Sequence, residues 1–73
     1  MKQIAIHTEF IRLDAFLKFT GEAGTGGEAK QLISAGQIQV NGVPCLQRGK
    51  KLHPGDIVKT VGDTEYTVTR EEA

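Results

Sequence analysis

A chain of 73 residues with a single cysteine has room for one domain, spanning 1–73, and cannot close an internal disulfide. A domain this small buries only roughly 60% of its unfolded surface, so it must rely on a well-packed thin core or on a partner. Nine basic and nine acidic residues cancel, and no segment approaches the ~20 apolar residues of a membrane helix, so a soluble cytoplasmic protein without a leader is expected.

Ile4 and Ile6 alternate with Gln3, Ala5 and His7, the period of a half-buried strand. Thr8 is placed to cap a helix, with Glu9 adding favourable charge to its first turn. Phe10, Leu13, Phe16, Leu17 and Thr20 then follow helical spacing, with Arg12, Asp14 and Lys18 off that stripe, and Gly21 is the stop. Gly24-Thr25-Gly26-Gly27 connects to a second helix. Thr25 and Glu28 have the spacing of a capping box, Ala29, Leu32 and Ile33 form the apolar face, and Gly36 ends it.

Gln37-Ile38-Gln39-Val40 alternates as a strand, and Asn41-Gly42 supplies the positive φ angles of a type I′ hairpin turn. The return strand runs through Val43 to Leu46, with Pro44 marking a sheet edge. Arg48 to Lys51 is a basic loop. Pro54-Gly55-Asp56 turns into a strand from Ile57 to Val61, and Gly62-Asp63 turns into another from Glu65 to Arg70. Glu71-Glu72-Ala73 is expected to fray. The order β-α-α-β-β-β-β predicts an α+β domain, two helices packed on a small antiparallel sheet. Pairing of the first and last strands is open at this level.

Charge is unevenly spread. Pro44 to Lys59 carries Arg48, Lys50, Lys51 and Lys59 against Asp56, a balance of +3, while Thr60 to Ala73 carries Asp63, Glu65, Glu71 and Glu72 against Arg70, a balance of −3. By composition alone the basic run reads equally as a solvated loop. Arg12 and Asp14 also fit a surface ion pair, which contributes little.

Gly24-Thr25-Gly26-Gly27-Glu28-Ala29 matches a dinucleotide-binding string, but a helix precedes it where that fingerprint needs a strand. His7 and His53 lack neighbours at metal-ligand spacing, and Cys45 lacks a base and an orienting group. No cofactor, metal or catalytic set is expected. With Phe10 and Phe16 in the core stripe, only Phe19 and Tyr66 remain as aromatics of undetermined exposure. A base-stacking platform is therefore not expected.

The run Arg12-Leu13-Asp14, Leu17, Thr25, Ala29, Leu32-Ile33, Gly36, Val40-Asn41-Gly42 and Pro54-Gly55-Asp56 resembles the S-four-type RNA-binding domain, or alpha-L motif, over about residues 10–61. Gly24 to Lys30 and Arg48 to Leu52 are more specifically similar to small stand-alone bacterial members of the YaaA/YbcJ type. The resemblance implies an RNA-facing surface with Arg12, Lys18, Thr25 and Lys30 on or beside the helix pair and Arg48, Lys50 and Lys51 in the loop beyond the hairpin. Thr25-Gly26 stands where many members carry Ser-Arg, one phosphate-directed charge fewer. The resulting expectation is non-catalytic binding of structured RNA, ribosomal RNA or a ribosomal subunit, by shape and backbone contacts. The alternative is a protein-interaction or enzyme-accessory module with its own protein partner.

Overall fold

Alternating apolar residues build the sheet and two short amphipathic segments build the helices that cover it. The computed structural model describes residues 1–71. In chain order the elements are β1 (Lys2–Ile6), β2 (Ile11–Arg12), α1 (Leu13–Thr20), α2 (Gly26–Ser34), β3 (Gln39–Val40), β4 (Val43–Pro44), β5 (Lys51–Leu52), β6 (Ile57–Lys59) and β7 (Glu65–Arg70). Five strands form one sheet in the order β1-β7-β6-β3-β4, and β2 and β5 form a separate two-stranded ribbon. The α+β class holds, with one difference: the sheet is mixed. β3–β4, β3–β6 and β6–β7 are antiparallel, whereas β1 and β7 run parallel, with Ile4 beside Val68. Parallel neighbours need a long crossover. Here the crossover is the entire intervening chain, so local alternation carries no trace of it.

One core joins both layers. Leu13, Phe16 and Leu17 of α1 and Ala29 and Ile33 of α2 pack with Ile6, Ile38, Val40, Leu52, Val58, Tyr66 and Val68. Phe16 meets the Tyr66 ring edge-on, with centroids 5.7 Å apart. Such a pair contributes about 0.5–1.5 kcal/mol beyond area burial. The Tyr66 hydroxyl donates to Glu22 Oε1 at 2.8 Å, and Thr60 Oγ1 donates to the same oxygen at 3.1 Å, fastening the link between the helices to the sheet. Burial first, and the Glu22 carboxylate second, raise the Tyr66 pKa above its ordinary 10.0. The folded state thus prefers the protonated phenol. Stability from this group is complete below pH 10.0 and falls as the pH rises through the higher folded value. Tyr66→Phe is expected to cost about 1 kcal/mol at neutral pH, and to flatten the alkaline limb of a urea-denaturation pH series. An unchanged alkaline limb in that variant would assign the loss to other groups.

The turn signals act as their chemistry requires. Gly21 adopts φ 84° and closes α1, and Asn41 and Gly42, at φ 52° and 84°, make the β3–β4 turn. Thr25 Oγ1 accepts from Glu28 N at 3.1 Å, while Glu28 Oε2 accepts from Gly24 N at 2.9 Å, so the expected cap of α2 forms with its return bond one residue upstream. Pro44 lies on the edge strand β4.

Three expectations are corrected. Thr8 does not cap α1: its hydroxyl donates to Phe10 O, and the helix starts at Leu13 after the extended residues Ile11–Arg12. Phe10 consequently lies outside the helix and is 37% exposed. Glu71 is held, its N–H donating to Ile6 O at 2.9 Å and its carboxylate 3.1 Å from His7 Nε2. Glu72 and Ala73, the remainder of the tail expected to fray, lie outside the described residues.

Candidate nucleic-acid interface

A helix N-terminus leaves backbone N–H groups without intrahelical partners. In α1 the basic loop supplies the acceptors. Leu13 N donates to Lys50 O at 2.9 Å and Asp14 N donates to Arg48 O at 3.1 Å. Ala15 N is satisfied by Asp14 Oδ1 at 2.8 Å. The loop that carries Arg48 and Lys50 is therefore pinned by its own carbonyl groups to the start of the helix. Its side chains remain exposed, while its backbone is fixed by tertiary hydrogen bonds.

The β2–β5 ribbon extends this arrangement and corrects one placement: Lys51, expected in the basic loop, is the first residue of strand β5, because Leu52 beside it is drawn into the core. Ile11 pairs with Leu52 and Arg12 with Lys51. Successive strand residues point to opposite faces. Leu52 is fully buried and Ile11 packs on the core, so Arg12 and Lys51 occupy the outer face together. The Arg12 guanidinium also reaches the loop, since a Cβ added at Gly49 would meet its Nη2 at 3.6 Å. Like charges directly opposed across strands are destabilising. Two features temper the pair: Arg12 Nη2 lies 3.2 Å from Asp14 Oδ2, and the Lys51 ammonium sits 4.9 Å above the Phe10 ring centroid. The ion pair anticipated for Arg12 and Asp14 does form. It is exposed, which limits its contribution to about 0–1 kcal/mol.

The structure thus brings four of the seven candidate residues, Arg12, Arg48, Lys50 and Lys51, into one cationic edge. Lys18 is on the last turn of α1 and Lys30 is in α2, both exposed on the helix pair rather than in the loop. Thr25 spends one acceptor site on the α2 cap, leaving its O–H free in bonding capacity to donate. Glu28 places a carboxylate at the α2 N-terminus, which disfavours a phosphate there. Lys59, counted in the basic stretch by charge but not among the seven candidates, pairs with Asp63 at 3.3 Å near the β6–β7 turn.

Sequence periodicity missed Phe10 as a surface residue. It precedes β2 and faces His53 after β5, with ring centroids 6.1 Å apart. The available signal was the alternation in Phe10-Ile11-Arg12 and Lys51-Leu52-His53, too short to compete with the helical spacing that Phe10 shares with Leu13 and Phe16. Phe19, on α1, is 66% exposed, while Tyr66 is buried.

The remaining surface has less chemistry. A shallow groove is lined by Val43, Pro44, Cys45 and Leu46 with Gln47 and Lys50. Among the described residues no group of His, Cys, Asp and Glu is placed to hold a metal ion, and no helix is long and apolar enough to cross a membrane.

Comparison with known proteins agrees with this architecture. The S4 domain family matches residues 4–69. A protein of Bacillus subtilis (strain 168), described as a probable ribosome maturation protein RlbA, is 40% identical over 65 residues, covering 89% of this chain and 92% of the relative. Helix pair, hairpin and turn residues, family match and near full-length similarity together place the chain in the S4 domain family.

Proposed function

We propose that this protein binds structured RNA without catalysis, docking the cationic edge formed by Arg12, Arg48, Lys50 and Lys51 on the phosphate backbone. Lys18, Lys30 and the Thr25 hydroxyl extend the contact along the helix pair. The observation that carries this reading is the direct opposition of Arg12 and Lys51 across β2 and β5. That pairing costs stability in the free protein, and a bound phosphate converts the repulsion into shared attraction. The pinned backbone of the loop lowers the ordering cost of binding. The Bacillus relative is described as a probable ribosome maturation protein, which favours ribosomal RNA or a ribosomal particle as the RNA bound.

The test is co-sedimentation of the tagged protein with ribosomal particles at low and high salt. Salt-sensitive migration with a subunit is expected. In a titration with the purified RNA, log affinity should fall with log salt at a slope of roughly −0.9 per phosphate contact for a duplex. Association that persists unchanged in high salt would instead favour a protein-docking module. The exposed Val43 and Leu46 beside the β4 edge are the observation behind that second reading.

A further inference from the structure

The outer face of the β2–β5 ribbon carries two kinds of chemistry side by side. Arg12 and Lys51 are directly paired. At one end of the ribbon, just past the Ile11–Leu52 pair, stands an aromatic pair, Phe10 and His53, with ring centroids 6.1 Å apart and planes tilted by 48°. Alternate residues of a strand share a face about 6.6 Å apart. The strand positions that carry the cations and the rings are thus spaced by about the reach from a nucleotide's phosphate to its own base.

We propose that Phe10 and His53 form a stacking site for one unpaired nucleobase, beside the phosphate-binding pair Arg12 and Lys51. This rests on the RNA-binding reading and specifies what kind of RNA the ribbon selects: a helical element interrupted by a bulged or loop nucleotide. In the free protein the Lys51 ammonium lies 4.9 Å over the Phe10 ring. This contact partly shields an aromatic face that is otherwise exposed to water. An arriving phosphate competes for the same ammonium with a full charge. Lys51 moves onto the phosphate, the ring face opens, and the base of that nucleotide replaces the cation on Phe10. His53, just after β5 and already beside Phe10, meets the edge of the base rather than its second face. The exchange needs no backbone movement, because Ile11 and Leu52 anchor the ribbon from its inner face.

A merely packing role for Phe10 makes a different prediction, since leucine retains most of the apolar contact and none of the stacking. The experiment titrates wild type, Phe10→Leu and Phe10→Trp with two end-labelled RNA hairpins of the same stem, one carrying a single bulged adenosine and one fully paired. Wild type is expected to prefer the bulged hairpin. Phe10→Leu should lose about tenfold in affinity for it and less than about twofold for the paired stem, and Phe10→Trp should restore the preference with quenching of its indole fluorescence. Equal losses on both hairpins, or no loss on either, would overturn the stacking site while leaving the cationic edge in place. Failure of wild type to bind either hairpin would overturn the RNA-binding reading itself, and the stacking site with it.

Discussion

Lys50→Glu combined with Lys51→Glu should lower RNA affinity by about two orders of magnitude at low salt and shrink the salt slope by about two, one for each phosphate contact removed. The fold should survive. Both side chains are exposed. The bond that Lys50 makes to α1 uses its carbonyl oxygen, which the substitution leaves in place. Surface changes of this type usually alter stability by no more than about 0.5 kcal/mol. The two positions have different contexts, so the single variants are informative as well. Lys50 projects from a loop whose backbone is pinned. Lys51 faces Arg12 and covers Phe10, so reversing it also offers Arg12 an intramolecular carboxylate and removes the cation from the ring. Lys51→Glu should therefore be the more damaging of the two. A folded double variant with wild-type affinity and wild-type salt dependence would remove the loop from the interface. Binding would then have to be sought on the exposed helix surface bearing Lys18 and Lys30.

How much of this surface the sequence reveals depends on the range of the interactions that form it. Gly21, the Thr25–Glu28 pair and Asn41-Gly42 are decided within a few residues. Each adopted the local geometry its chemistry favours. Arg48, Lys50 and Lys51 are legible for the same reason, being adjacent in the chain. The start of α1 is not. Its first N–H groups are satisfied by carbonyls of a loop far along the sequence, so the nearby Thr8, a good capping residue by type, is bypassed. The ribbon is harder still. β2 and β5 have two residues each, too few to show a period, and their register depends on burying Ile11 and Leu52. With that register invisible, Phe10 reads as a core residue, and the family resemblance places Arg12 with the helix pair and not opposite Lys51. The parallel pairing of β1 with β7 joins the two ends of the fold and has no local signature either.

Asn41→Ala should destabilise the domain by about 2–3 kcal/mol, although Asn41 is exposed, because it carries two separable functions. Its backbone sits at φ 52°, a left-handed conformation that asparagine tolerates better than alanine. Its side chain joins two turns: Oδ1 accepts from Ile57 N at 2.9 Å, and Nδ2 donates to Asp56 Oδ1 at 3.1 Å. Asp56 in turn accepts from His53 N at 2.8 Å through Oδ2, which ties the hairpin turn to the Pro54-Gly55-Asp56 turn and to the end of β5. Asn41→Gly separates the functions. Glycine relieves the positive φ but makes neither side-chain bond, so it should cost about 1–2 kcal/mol, less than alanine. Urea denaturation with an unchanged m value provides the measurement, and each 1 kcal/mol corresponds to about 4–8 °C in Tm for a domain of this size. Equal losses for alanine and glycine would mean that backbone conformation contributes nothing and the bonds everything. Near-wild-type stability in both would mean that the side-chain bridge does not hold the turns together. If the bridge does hold them, Asn41→Ala should also loosen His53 at the rim of the basic ribbon. RNA affinity should then fall in a variant that has lost no charge, while the salt slope, which counts phosphates, stays at the wild-type value.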